Sequence, residues 1–175
     1  LESGFNSKPL NNIYLGRDLF DDFGEKKFLN YIKRKKNLKI KTNYLPKNIA
    51  NLLSKGNVVA VARGREEFGA RALGNRSILA DPSNLKIVQK INELIKNRDF
   101  WMPFALSILK EKHKKFLNNK KNINSEYMTI GYDTIENKHH FIEAGTHRYD
   151  KSVRPQILEK NSNKNYYQII MEFYK

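Results

Sequence analysis

The chain has 175 residues, 39% of them hydrophobic and 29% charged, and carries a formal net charge of +15. That length suits one domain with its own core, and the lack of cysteine excludes disulfides, thiolate nucleophiles and cysteine-held metals. No apolar run reaches the ~20 residues of a membrane helix, no signal-like segment opens the chain, and a cytoplasmic location is expected.

Leu1 stands where a complete protein would begin with Met, so the sequence reads as a piece of a longer one. Residues 1–20 mix Ser, Asn, Gly and Pro with isolated apolar side chains, which predicts an irregular lead-in. Asp21 and Asp22 precede Phe28, Leu29 and Ile32, spaced for one face of a short helix that ends in basic residues. Residues 38–44 alternate apolar and polar side chains as a half-buried strand does. Pro46 opens a second helix, with Ile49, Leu52 and Leu53 on its apolar face and Gly56 as its stop. The uninterrupted apolar run Val58 to Ala62 predicts a strand covered on both faces, which points to an α/β sheet.

Residues 77–80 predict another strand, and Asp81-Pro82 a cap for a helix whose stripe is Leu85, Val88, Ile91, Leu94 and Ile95. An aromatic corner at Phe100, Trp101 and Phe104 reads as core rather than as a base-stacking platform. Beyond it the pattern predicts a strand over 105–109, a basic helix over 110–117, a loop over 118–124, strands near 127–132 and 154–158, and a terminal helix through Tyr166, Ile169, Ile170 and Phe173.

A charge of +15 raises the possibility of a basic nucleic-acid-binding module. Lys, Asn and Ile are all abundant, however, so lysine runs such as Lys33 to Lys36 and 110–121 read as solvated faces, and specific nucleic-acid binding is not expected. Arginine is the selective signal: of nine in the chain, four fall in RGREEFGARALGNR, residues 63–76. A guanidinium presents its donors as a rigid fork matched to phosphate or carboxylate oxygens. Gly64, Gly69 and Gly74 punctuate the same stretch and permit sharp turns or close approach of backbone to a ligand. Following a buried strand, this stretch is placed where open α/β sheets put their ligand crevices. It reads as an anion-binding loop, and it is not a Walker A motif.

The run GREEFGARALGNRSILADP, with Lys96-Asn97-Arg98, Met102-Pro103-Phe104-Ala105, Thr146-His147 and Asp150-Lys151-Ser152-Val153-Arg154-Pro155-Gln156, resembles the C-terminal domain of the O-carbamoyltransferases of antibiotic and nodulation-factor biosynthesis. Ala70 replaces a proline common in that family, and Arg63 a glutamine. The resemblance implies a single α/β domain over residues 1–175, a YrdC-like twisted mixed sheet flanked by helices. It implies ATP and carbamoyl phosphate as ligands, carbamoyl adenylate as product, and magnesium accompanying ATP through phosphate oxygens and water.

In the family, an iron-dependent actin-like N-terminal domain passes the carbamoyl group to a hydroxyl acceptor, a metabolite or sugar; that domain and a C-terminal tail are absent here. The expected division of labour gives Arg65, Arg71 and Arg76 the catalytic task of neutralising phosphate and carbamoyl oxygens, with Lys96 and Arg98 on the nucleotide phosphates. Asn75 and Ser77 add neutral hydrogen bonds, Ser152 and Arg154 form a second wall, Glu67 either orients an arginine or only holds the loop, and His147 completes the set. His113, inside a lysine run, reads as surface. His139 and His140 are adjacent and point apart, so no protein-bound metal is expected. A threonylcarbamoyl-adenylate synthase of tRNA modification, sharing fold and intermediate, is the enzyme alternative.

Overall fold

The computed structural model describes residues 10–19, 24–35, 37–39, 41, 43–97, 99 and 102–175. Arg98, Phe100, Trp101 and the start expected for the first helix at Asp21 and Asp22 lie outside the described residues. Four α-helices and four short strands form a mixed α/β domain: α1 (Gly24–Lys33), α2 (Pro46–Ser54), β1 (Val59–Ala62), β2 (Arg76–Leu79), α3 (Lys86–Ile91), β3 (Ser107–Leu109), β4 (Gln156–Leu158) and α4 (Lys164–Tyr174). A π-helical turn, Asn92–Lys96, extends α3, and 3₁₀ turns occupy Lys110–Lys115, Glu136–Phe141 and Glu143–Gly145.

The α/β class is therefore as expected, but among the described residues the strands pair into two two-stranded sheets rather than one twisted mixed sheet. β1 and β2 are antiparallel, with Val59 opposite Leu79 and Ala62 opposite Arg76. β3 and β4 are parallel, with Ile108 opposite Ile157 and Leu109 opposite Leu158. Along β1 the side chains alternate, Val59 and Val61 half-buried and Ala60 and Ala62 exposed. The apolar run is thus covered on one face only, because alanine is small enough to stand in solvent at little cost.

β3 and β4 are the pair covered on both faces. Leu109 and Leu158 join Leu53 of α2, Leu79 of β2 and Tyr166, Tyr167 and Ile169 of α4 in one cluster. On the opposite face Ile108 and Ile157 pack with Leu106, Leu117, Tyr132, Ile142 and Val153. α2 and α4 thereby knit the two sheets together, and full burial of a side chain such as Ile169 contributes on the order of 2 kcal/mol. Pro46 opens α2 as expected, and Gly56 follows it at φ 74, a left-handed conformation suited to glycine.

Four expectations are corrected. Among the described residues of 38–44 there is no strand. The 127–132 strand reduces to an isolated bridge between Tyr132 and Val153. The α3 stripe holds only in part: Ile91 is buried and Val88 packs beside it as expected, together with Ile87 and Ala144, while Leu85, Leu94 and Ile95 are exposed. The α-helical part spans only six residues, and the wider π turn after it rotates Leu94 and Ile95 off the buried face. His113 is 5% exposed, with Nδ1 against the Lys110 carbonyl three residues back in the same 3₁₀ turn.

Candidate functional site

The arginine-glycine stretch is the connection between β1 and β2, so it leaves an antiparallel pair and not the end of a doubly covered strand. Its shape is set from inside by Glu67, whose Oε1 accepts hydrogen bonds from the backbone amides of Leu73 (2.8 Å), Asn75 (2.7 Å) and Arg76 (3.2 Å). Ser77 Oγ accepts from the Gly74 amide at 2.8 Å. Asn75 donates to the Arg65 carbonyl (2.7 Å) and accepts from Asn163 Nδ2 (2.9 Å). Asn75 and Ser77 are both buried and face the loop's own backbone. At Gly74, φ is 109 and a Cβ would lie 2.4 Å from the Tyr166 ring, so the loop closes down on α4 as only glycine allows.

The guanidiniums divide into two kinds. Arg76 donates to the carbonyls of Arg63 (2.6 Å), Asn75 (3.1 Å) and Gly64 (3.1 Å), with Glu66 at 3.6 Å from its Nε. Arg65 donates to the carbonyls of Gly16 (2.9 Å) and Leu15 (2.8 Å). Arg63 donates to the Gly74 carbonyl at 3.2 Å and lies 5.9 Å from the Tyr166 ring centroid. Its Nη2 is buried with no hydrogen-bond partner among the described residues, and burial lowers its pKa. Arg71 differs: it is exposed on the crest of the loop, and no hydrogen bond or ion pair to a described residue holds it.

The described residues of the lead-in hold no helix or strand, as expected, but they are bonded to this loop through one isolated bridge and further backbone contacts. Residues 13–19 run antiparallel to 64–68, through Phe68 N to Ile13 O (2.7 Å), Gly16 N to Glu66 O (3.0 Å), Glu66 N to Arg17 O (3.1 Å) and Leu19 N to Gly64 O (3.1 Å). A cavity of about 500 Å³ opens here, lined by Leu15, Gly16, Arg17, Asp18 and Arg65.

A second cavity, of about 670 Å³, lies between the α3–π-turn segment and the turns over 143–151. Asn92, Asn97, Met102, Thr146, Arg148 and Lys151 are among its lining residues. Lys96, exposed at the end of the π turn, and Ser152 are the sequence neighbours of the lining residues Asn97 and Lys151. His147 Nδ1 and the Ser152 amide both bond Asp150 Oδ1, at 2.9 and 2.8 Å. The Ser152 amide, then its hydroxyl and then His147 hold the Asp150 carboxyl below the usual range. Arg154 is exposed beside Val153. Of the site residues expected from sequence, Arg65, Glu67, Arg71, Asn75, Arg76 and Ser77 share the arginine loop and the start of β2, whereas Lys96, His147, Ser152 and Arg154 are not among the residues that line the second cavity. Gln156 bridges toward the loop by donating from Nε2 to the Leu73 carbonyl at 3.2 Å.

Sequence reasoning gave no site role to Tyr14, which resembles the family's entry into this domain as part of Tyr14-Leu15-Gly16, to Tyr166, which it placed on the terminal helix, or to Asn163. Tyr14 Oη donates to the Leu73 carbonyl (2.8 Å), and Tyr166 Oη donates to Ser107 Oγ (2.7 Å), which reaches Gln156. Burial pushes the Tyr166 phenol up to about 12. Only the spacing of Gln156 within its motif hinted at this buried network. Among the described residues no His, Asp and Glu cluster could hold a metal ion, and no helix is long and apolar enough to cross a membrane.

Residues 50–175 match the model of the carbamoyltransferase C-terminus family. An uncharacterised protein of Methanocaldococcus jannaschii is 40% identical over 169 residues, covering 94% of this chain and 32% of that protein. Nodulation protein NolO of Bradyrhizobium diazoefficiens is 31% identical, covering 95% of this chain and 30% of that protein. Nodulation protein NolNO of Sinorhizobium fredii is 36% identical, with coverages of 72% and 18%. The chain therefore spans about a third or less of the length of these relatives.

Proposed function

The chain belongs to the carbamoyltransferase C-terminus family, and from that premise we propose that it binds ATP and carbamoyl phosphate in a YrdC-like unit and forms carbamoyl adenylate for O-carbamoylation of a hydroxyl acceptor. The observation that carries the reading is the 670 Å³ cleft, of a size usual for small-ligand sites, with Arg148 and Lys151 in its wall and Lys96 and Ser152 next in sequence to its lining residues Asn97 and Lys151. ATP occupies this cleft, its phosphates met by these cations. Magnesium would accompany ATP, held mainly through phosphate oxygens and water rather than by a protein cage, and would neutralise part of the phosphate charge.

In the reaction water first cleaves the phosphate from carbamoyl phosphate, giving inorganic phosphate and carbamate; the carbamate oxyanion then attacks the α-phosphorus of ATP, the new P–O bond forms, and the bond to pyrophosphate breaks. Negative charge is crowded at the start and shifts onto the leaving pyrophosphate, so fixed cations lower the barrier without a covalent nucleophile. Arg71 supplies the adjustable charge for the carbamoyl or phosphate oxygens. Arg65 and Arg76, bonded to carbonyls, hold the frame from which Arg71 projects, and Arg154 closes the second wall.

Calorimetry with magnesium-ATP and with carbamoyl phosphate, followed by carbamoyl-phosphate-dependent exchange of labelled pyrophosphate into ATP, tests the reading. Saturable heat from both ligands is expected; a folded chain giving heat with neither defeats it.

A further inference from the structure

We infer that Tyr14 is a positioning residue for the arginine loop and that the lead-in strap, residues 13–19, is a working part of the site. The inference rests on the loop being a ligand-binding element, as proposed above, but its geometry stands apart. The strap lies outside the matched span 50–175, yet it is joined to the loop by four backbone hydrogen bonds and by both Arg65 contacts. Contact is close enough that a Cβ on Gly16 would sit 2.6 Å from Glu66 Cβ and 3.2 Å from its carbonyl oxygen.

The Leu73 carbonyl is the point of convergence. It accepts from Tyr14 Oη of the strap (2.8 Å) and from Gln156 Nε2 of β4 (3.2 Å), while the Leu73 amide is held by Glu67 (2.8 Å). Tyr14 Oη also accepts from Asn163 Nδ2 at 3.4 Å, and Asn163 caps α4 by accepting from the Tyr166 amide at 3.2 Å. One phenol therefore ties strap, loop and helix α4 together, two residues from Arg71. A guanidinium on an exposed crest can be aimed only if the backbone beneath it is fixed. Tyr14 fixes it from the strap, as Gln156 does from β4.

The test is Tyr14→Phe in the whole chain, with Tyr31→Phe, on the exposed face of α1, as control. The ring stays and the hydroxyl goes. Amide exchange at Leu73, Asn75 and Arg76 is expected to quicken about tenfold, and carbamoyl phosphate affinity to fall about tenfold, while ATP affinity and the thermal midpoint hold. Unchanged exchange and unchanged carbamoyl phosphate affinity overturn the inference. If the parent chain binds no carbamoyl phosphate, the functional proposal fails and the exchange rates alone decide the role of Tyr14. Should Tyr14→Phe not fold, exchange in the parent chain decides: carbamoyl phosphate must slow the amides of both the loop and residues 13–19, and a strap insensitive to it overturns the inference.

Discussion

Glu67 separates a loop built for its own stability from one whose carboxylate meets a ligand. Its Oε1 accepts from the amides of Leu73 and Asn75, in the irregular turn, and of Arg76, at the start of β2. A hydrogen bond to a charged group contributes roughly 1.5–3 kcal/mol, and one to a neutral group about 1 kcal/mol. Partial exposure lets water replace some of each, so about 1 kcal/mol per amide is the fitting figure, and Glu67→Ala is expected to cost about 3 kcal/mol of folding stability. Against a typical total of roughly 5–15 kcal/mol that is a large loss. Glu67→Gln keeps an oxygen in place and gives up only the charge, for a cost of about 1 kcal/mol. Urea unfolding followed by circular dichroism measures both, read from the midpoint at constant m-value. A Glu67→Ala chain within about 0.5 kcal/mol of the parent would refute the argument. If it also lost ligand affinity, the carboxylate would belong to the ligand and not to the loop.

Arg71→Ala removes an exposed guanidinium without a partner among the described residues, so stability should move by less than about 0.5 kcal/mol. Calorimetric affinity for carbamoyl phosphate should drop tenfold or more, and undiminished binding would take Arg71 out of the site. Gly74→Ala places a methyl 2.4 Å from the Tyr166 ring at φ 109; strain and overpacking together predict a loss of about 2–5 kcal/mol by thermal melting. Gly131→Ala, in open space, is the control. The Tyr166 phenol, raised by burial to about 12, keeps its proton in the folded chain where the unfolded chain ionises near 10. Its contribution is complete below pH 10 and is lost as pH rises toward 12, up to about 3 kcal/mol. Alkaline unfolding curves of the parent and of Tyr166→Phe should differ in slope over that window; parallel curves would count against the burial argument.

What the sequence made legible was local. Phe28, Leu29 and Ile32 marked α1, Pro46 and Gly56 bracketed α2, and Tyr166, Ile169 and Ile170 marked α4, because a helix face repeats within a few residues. Pairing of strands was not legible. The run from Val58 to Ala62 is apolar throughout, and only the structure shows that its alanines face water and that the pair covered on both sides is β3 with β4. His113 was misplaced for a similar reason: in a 3₁₀ turn residues three apart share a face, so one side chain can turn inward while lysines around it stay wet.

The arginines show where pattern reading meets its physical boundary. Two carbonyl oxygens at the mouth of a tight turn offer a guanidinium much the same acceptor geometry as a phosphate edge. A long connection between two strands leaves carbonyls without ladder partners, and those must be paired somewhere. Arg63, Arg65 and Arg76 meet that need at the carbonyls of Gly74, Leu15, Gly16 and Arg63, and Arg76 adds a second donor to those of Gly64 and Asn75, which also accept from backbone amides. Clustering alone therefore cannot separate the guanidiniums that build an anion site from those that touch the anion. Partner occupancy can: Arg71, without a carbonyl of its own, is the member of the cluster on which ligand binding should depend most while stability depends least.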